Sequence, residues 1–526
     1  MSSAFSATPN VSANPGAKTA DAAVHEAPVT TQVGVAVADT ADEIRAKVAR
    51  SRSAQEHWKH RSFDDRARAL TRAAKEMLRK RNDVIALAHE EIGKVAAEGI
   101  FNEALGPLDT VSAWVKLVRR ETARRDVRLN PISFPKKRAY VDLLPRGVVG
   151  VIAPWNYPVA GLYRSLIPAL LTGNGVVLKP SEYTPKTSSW LAEMFARELP
   201  EGLISVVPGD GRAGAALIEA GIDACIFTGS VKTGRTVRVA CAERGIPCSV
   251  EMGGKDAAIV LGDCDLAKTT AGLTHWTLSN AGQACGAIEV LYVDQSIADE
   301  LLSRLTRAWS ALLPHEDIAP LGNQRQFDLV RAQVEEAKQK GARVLTGGAP
   351  GDGLYFPPTL LDHCTGQMSV ITEETFGPVL AVIRVSGAGE AVRRVNASRY
   401  GLGASIWTTD IARGERLAEK LDVGVTTINN HALSGAIPEL PWSGVRDTGF
   451  GVANGPESLH TFVRPRATIV DESKGAEIFY LPYDKALVEL GHLLADAQIG
   501  KILGAWKLPF LMKKRADRLK KFFSGK

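Results

Sequence analysis

The sequence predicts an α/β fold carried by parallel sheets, and two observations predict it. From Val148 onward, short apolar runs alternate with segments of helical spacing, the order in which a parallel sheet is wound. The runs themselves, such as Val148-Val-Gly-Val-Ile-Ala, read as buried strands, apolar along their whole length.

Ahead of them, the stretch from about Asp39 to Arg125 reads as amphipathic surface helices. Ile44, Val48, Ala54 and Trp58, then Ala69, Ala73, Met77 and Leu78, recur at helical spacing among charged residues. Ala139-Tyr-Val-Asp-Leu-Leu-Pro is strand-like. The expected order then runs strand Val148–Ala153, helix Val159–Leu171, strand Gly175–Lys179, helix Thr187–Glu198, strand Ser205–Val207, helix Gly214–Ala220 and strand Ala224–Thr228. A second alternating block, with strands such as Ala257–Leu261, Val290–Val293 and Ala381–Val385, extends from about Gly253 to Asn430. No internal repeat is evident.

A chain of 526 residues is long enough for two or three domains. Its six cysteines, at 225, 241, 248, 264, 285 and 364, are too few and scattered for a disulfide framework. They form no C-x-x-C pair, and no H-E-x-x-H occurs, so no metal site is expected and the thiols read as those of a cytoplasmic protein. The net charge of +6 is unevenly placed. From Ile499 onward nine Lys or Arg accompany one acid, Asp517, a net of +8, which leaves −2 for everything before it. The body is therefore near neutral, which argues against nucleic-acid binding. Residues 1–37, rich in Ala, Ser, Thr and Val, read as a disordered leader without the pattern of a secretory signal. No uncharged apolar run reaches 18 residues, the length a membrane-spanning helix needs.

Several segments are candidates for chemistry. In Asn280-Ala-Gly-Gln-Ala-Cys285-Gly, small residues around Cys285 let the backbone approach a ligand, and a thiolate forms covalent adducts with carbonyls. Alone, the same cysteine reads as a small buried thiol at a tight turn. Glu251, between an apolar strand end and Gly253-Gly254, is a candidate general base if burial raises its pKa; alone it reads as a solvated turn residue. Asn156, in Ala153-Pro-Trp-Asn-Tyr-Pro158, follows a buried strand, where α/β sheets place ligand-binding residues; its amide could donate to an oxyanion, or serve as an ordinary turn. Lys179 and Glu182 end another strand, with a carboxylate suited to ribose hydroxyls. Phe227-Thr-Gly229-Ser230-x₃-Gly234 is a strand–glycine–helix junction that points N–H groups at phosphate, without matching a standard nucleotide motif.

Taken in order, Pro-Trp-Asn-Tyr-Pro, Lys-Pro-Ser-Glu, Phe-Thr-Gly-Ser-x₃-Gly, Glu-Met-Gly-Gly-Lys, Gly-Gln-Ala-Cys and Glu-Glu-Thr-Phe-Gly-Pro-Val strongly resemble the aldehyde dehydrogenase superfamily over roughly Val37 to Val470. The resemblance implies NAD(P)⁺-dependent oxidation of an aldehyde to an acid, with NAD⁺ preferred and NADP⁺ accepted. It implies Cys285 as nucleophile, Asn156 as oxyanion donor and Glu251 as the base for deacylation. The implied cofactor contacts are Trp155, Lys179, Glu182, Gly229, Ser230, Gly234, Glu374 and Phe376. The implied architecture is a Rossmann-like cofactor domain (38–128 and 147–252), a catalytic domain (253–441) and an oligomerisation β-arm (129–146 and 458–470) joining a homodimer or homotetramer. A CoA-acylating relative is the first alternative, and Glu251, generally lacking in acylating members, argues against it. A catalytically silent paralogue is the second, and the intact Cys285, Glu251, Asn156 and Glu374 argue against that. Two departures stand out. Val290 occupies a position where many members have Arg, and Pro441-Trp-Ser-Gly-Val-Arg-Asp-Thr-Gly differs at several positions from the family's segment. Arg164, eight residues after Asn156, is a further candidate for the substrate pocket, and the aldehyde itself is not readable.

The extension 473–526 lies outside the resemblance. Ile499, Ile502, Leu503 and Trp506 share a helical face that Pro509 interrupts, and a lysine-rich stretch follows to Phe523. It reads either as a solvated charged helix or disordered end, or as a basic amphipathic segment in peripheral contact with an anionic membrane.

Overall fold

A computed structural model describes residues 38–131, 133–501 and 503–524. The leader expected over 1–37 and the side chain of Ile502 lie outside the described residues. The chain divides into two compact units, one running to Glu121 and resuming over Pro145–Val463, the other comprising Thr122–Leu144 and the residues from Arg464.

The first unit holds two mixed sheets, almost wholly parallel. Six strands are ordered Gly449–Phe450, Cys248–Met252, Ala224–Gly229, Val148–Ile152, Gly175–Lys179, Ile204–Val206, and only the short Gly449–Phe450 runs antiparallel. Val148–Ile152 and Gly175–Lys179 are buried along their whole length, which requires cover on both faces. Part of that cover is Ile44 and Val48 of the helix Ala41–Trp58, packed in one cluster with Val148, Val177 and Leu217. That helix starts with a capping box, Thr40 to Glu43.

The second sheet has seven strands, ordered Arg343–Thr346, Thr359–Asp362, Val379–Val385, Ile288–Asp294, Asp256–Val260, Gly403–Trp407, Val425–Ile428. All pair in parallel except Arg343–Thr346. Its central strands pack with Leu301, Leu305, Trp309, Val330 and Val334 from the helices Ala298–Ser310 and Gln324–Gln339. The fold is thus the α/β class expected, and the strand Gly175–Lys179 falls where the sequence placed it.

The second unit pairs Arg125–Val127, Lys137–Pro145 and Val463–Asp471 in one sheet, followed by the helices Lys485–Gln498 and Leu508–Ser524. Residues 458–461, expected at the start of an arm strand, are instead part of a 3₁₀ turn, Pro456–Thr461. The helical face expected through Ile499, Leu503 and Trp506 is not formed. Ile499 caps the preceding helix, and Gly500 and Gly504, at φ 79° and 95°, turn the chain. Pro509 begins a helix instead of breaking one, because the first turn needs no N–H partner from it. Among the described residues no helix is long and apolar enough to cross a membrane.

Candidate active site

Four of the expected site segments lie at the carboxyl ends of adjacent parallel strands. Asn156 follows Val148–Ile152, Lys179 closes Gly175–Lys179, Gly229 closes Ala224–Gly229, and Glu251 is next to last in Cys248–Met252. The sheet order places these strands side by side, the place where open α/β sheets bind ligands.

Asn156 is buried. Its Nδ2 donates to the Gln283 carbonyl at 2.8 Å, two residues before Cys285, and its own carbonyl accepts from Lys94 Nζ (2.9 Å) and Asn280 Nδ2 (3.1 Å). The approach to Cys285 is a left-handed turn, with φ of 54°, 52° and 70° at Asn280, Ala281 and Gly282. Only glycine fits at 282, since a Cβ there would lie 2.1 Å from the Gly377 carbonyl oxygen. Cys285 itself packs with Leu402, Val425 and Trp442.

The Gly253-Gly254 turn has a steric cause. A Cβ on Gly254 would stand 2.7 Å from the Cys285 carbonyl oxygen, and one on Gly253 2.0 Å from Glu374 Oε2. The two glycines let the segment after Glu251 pass between the cysteine backbone and the Glu374 carboxyl. Glu374 Oε1 accepts from Gly254 N at 3.1 Å.

The electrostatics follow from enclosure. Burial pushes the Cys285 thiol up to about 12; the Arg164 guanidinium opposes the shift, and the carboxylates of Glu251, Asp256 and Glu374 add to it. Burial also raises Glu251, again opposed by Arg164, whose Nη2 lies 3.6 Å from Glu251 Oε2. Glu374 is pushed up to about 8 by burial and by Glu289. Among the described residues no cluster of three or more His, Cys, Asp or Glu could hold a metal ion.

The residues expected at the cofactor form two groups. Lys179 Nζ lies 3.3 Å from Glu182 Oε2, the lysine buried and the carboxylate half-exposed. Ser230 caps the helix Val231–Glu243, its Oγ accepting from Thr233 N at 3.4 Å, beside the strand-ending Gly229. A partly open carboxylate and a helix N-terminus, at strand ends on either side of Val148–Ile152, fit a ribose and a phosphate respectively. Gly234 has a packing role, for a Cβ there would meet Met252 Sδ at 2.5 Å. Trp155 and Phe376 touch edge to face, with centroids 5.7 Å apart. Glu374 and Phe376 thus belong with the Cys285 side of the site.

Sequence reasoning missed the buried frame behind these groups. Lys94 and Glu103, both fully buried, form an ion pair; Glu103 Oε2 also accepts from Val159 N (3.0 Å) and Ala160 N (2.9 Å) at the start of the helix Ala160–Leu171. Glu289 accepts from Lys255 Nζ (2.6 Å), Thr375 N (2.8 Å) and Phe376 N (2.7 Å), fixing the loop that carries Glu374. Lys255 was part of a recognised motif, yet only the fold reveals its partner.

The chain is similar to known proteins in both sequence and fold. The aldehyde dehydrogenase family model matches residues 17–468. The chain is 37% identical over 436 residues to a 4,4′-diapolycopene aldehyde oxidase of a Methylomonas species, covering 82% of each chain. It is 34% identical to a Mycolicibacterium smegmatis protein provisionally named succinate-semialdehyde dehydrogenase [NADP(+)], over 89% of this chain and 91% of that one. The crystal structure of a Mycobacterium tuberculosis aldehyde dehydrogenase complexed with NAD⁺ superposes with a TM-score of 0.78 at 31% identity, covering 83% of this chain and 92% of the other. A family match of that length, over a fold whose strand ends gather these residues, leaves one assignment: the chain belongs to the aldehyde dehydrogenase family and is an enzyme that oxidises aldehydes with NAD(P).

Proposed function

We propose that Cys285 carries the reaction covalently and that the product is the free carboxylic acid. The thiolate adds to the aldehyde carbon, forming the C–S bond and placing negative charge on the former carbonyl oxygen. Asn156 Nδ2 and the backbone N–H of Cys285 donate to that oxygen; one such donor is typically worth ~2.7–4 kcal/mol of barrier. The bound nicotinamide supplies the hydride acceptor. Loss of the hydride from the substrate carbon leaves a thioester on Cys285. Glu251 takes a proton from water, whose oxygen attacks the thioester carbon, and the C–S bond breaks to return the thiolate and release the acid.

The observation that carries this reading is the hydrogen bond from Asn156 Nδ2 to the Gln283 carbonyl, which holds the amide against the segment ending in Cys285. Glu251 and Glu374 approach the same segment through Gly254 and Arg164. The remaining contacts are Trp155, Lys179, Glu182, Gly229, Ser230, Gly234, Glu374 and Phe376 for the cofactor. NAD⁺ is the preferred form, because the Glu182 carboxylate accepts from ribose hydroxyls and repels a 2′-phosphate, while Lys179 softens that repulsion. The enzyme works in the cytoplasm as a homodimer or homotetramer joined through the strands Lys137–Pro145 and Val463–Asp471, and touches a membrane peripherally through its C-terminal extension.

Rapid-mixing measurement of NADH formation tests the scheme. Cys285→Ala is expected to show neither burst nor turnover while retaining cofactor binding, and Glu251→Gln to keep the burst but lose most of its steady-state rate. Unchanged turnover in Cys285→Ala would overturn the covalent route, and unchanged turnover in Glu251→Gln the deacylation role.

A further inference from the structure

The C-terminal extension is a built element. The helices Lys485–Gln498 and Leu508–Ser524 pack through Ala486, Leu490 and Leu511, with Leu487, Leu493 and Leu508 alongside. Arg515, fully buried, donates to the carbonyls of Ile478 and Pro482 at 2.6 Å each and to that of Tyr480, and pairs with Asp484 at 3.3 Å. Asp484 in turn pairs with Arg518 at 2.9 Å. These contacts hold the base of a helical hairpin whose other end is the connection 499–507.

That connection turns apolar side chains outward. Leu503 is 93% exposed, Trp506 78%, Ile499 68%, and Phe510, in the first turn of the second helix, 67%. Lys501 and Lys507 are interleaved with them. Further along, Lys513 and Lys514 follow Phe510 by about one turn and Lys520 and Lys521 by about three, all outside the buried row Leu511, Arg515 and Leu519. The apolar tip, with Lys501 and Lys507 in it and Lys513 and Lys514 about one turn beyond Phe510, thus sits at one end of a rigid support.

We infer that Ile499, Leu503, Trp506 and Phe510 insert into the headgroup region of an anionic bilayer, with Lys501, Lys507, Lys513 and Lys514 against lipid phosphates. This rests on the peripheral contact read above for the extension and names its inserted element and its lipid. Three features select a bilayer over a second copy of the chain. The apolar residues are clustered at a tip, which suits shallow insertion and leaves little flat area for a protein face. Trp506 couples an apolar ring to a polar N–H, the combination favoured at membrane interfaces. The segment from Ile499 onward carries a net +8, so two such tips repel each other while an anionic surface attracts them.

Co-sedimentation of the full chain with phosphatidylcholine vesicles, and with equimolar phosphatidylcholine and phosphatidylglycerol, tests this. Four proteins are compared: wild type, the triple variant Leu503→Ser/Trp506→Ser/Phe510→Ser, a variant with Lys501, Lys507, Lys513 and Lys514 each changed to Gln, and a truncation lacking 499–526. The wild type is expected to sediment with the anionic vesicles and to be released by salt. The triple variant is expected to lose roughly tenfold or more of its apparent affinity. The lysine variant is expected to lose the preference for anionic lipid. Helical circular dichroism of both substituted proteins, and turnover of all four on a short soluble aldehyde, are expected to be unchanged. Release of the truncation but not of the triple variant would overturn the tip assignment and leave peripheral contact standing; equal sedimentation of all four would overturn both. A fall in oligomeric mass of the triple variant, with no wild-type vesicle binding, would show that the tip covers a second copy. Dehydrogenase function is read separately by wild-type turnover.

Discussion

Cys285 and Glu251 share one electrostatic difficulty. Both are enclosed, both are driven toward their neutral forms, and the proposed chemistry uses both as anions. Arg164 is the cation that opposes the shift at each of them. Removing it therefore raises the thiol further: Arg164→Gln is expected to move the pH midpoint of Cys285 alkylation upward, slowing iodoacetamide inactivation roughly tenfold per unit of displacement, with Arg164→Lys in between. A midpoint that stays or falls would remove Arg164 from this role. At the other end of the site, Glu182→Gln is expected to raise the ratio of kcat/KM for NADP⁺ to that for NAD⁺ several-fold, because the repelling charge is gone and Lys179 remains. A wild-type enzyme already faster with NADP⁺ would refute the preference. Cys285, Glu251 and Asn156 were legible as candidates because each sits in a recognisable run of sequence. The pairing of Arg164 with Glu251 was not, since two distant segments meet only when the sheet forms.

At the scale of elements, the alternation of strands and helices was legible, and most boundaries fell within a few residues of expectation, while the order of strands within each sheet was not. The exceptions have local causes: Pro509 was read as a break where it begins a helix, and residues 458–461 prefer a 3₁₀ turn. The frame of buried charge was invisible, because a lysine beside a helix end gives no sign of where its partner lies. Lys94 and Glu103 link the π-helical segment Gly99–Leu105 to the Asn156 carbonyl and to the first amides of the following helix. Lys94→Met strands Glu103 as an unpaired buried carboxylate, so a loss of roughly 3–5 kcal/mol is expected in chemical denaturation. The rate should fall as well, since Asn156 loses an anchor. A variant as stable as the wild type would show the pair to be dispensable.

For the molecule as a whole, Glu374 makes stability depend on pH. Its folded value of about 8 lies above the ordinary glutamate value of 4.5. Below 4.5 the carboxyl is protonated whether the chain is folded or not, and stability is unaffected. Between 4.5 and about 8 the unfolded chain ionises while the folded one resists, so stability falls across that window and levels off above it. Glu374→Gln cannot ionise. In cofactor-free protein its Tm advantage over the wild type is therefore expected to grow from pH 5 to pH 8, read by differential scanning fluorimetry, while the KM for NAD⁺ rises. A Tm difference that is constant with pH would contradict the raised value.

The left-handed turn before Cys285 carries a consequence for chirality. At Ala281, with φ 52°, an L-residue sits in a conformation costing it roughly 1–2 kcal/mol, which a D-residue would occupy at rest. Protein semisynthesis with D-alanine at 281 should thus yield an enzyme more stable than the ribosomal one. A β-branched L-residue at the same place should cost more than alanine does. Glycine, asparagine and aspartate tolerate this hand better than the L-alanine present, and the mirror-image alanine, unavailable to the genetic code, fits it without that cost four positions from the nucleophile.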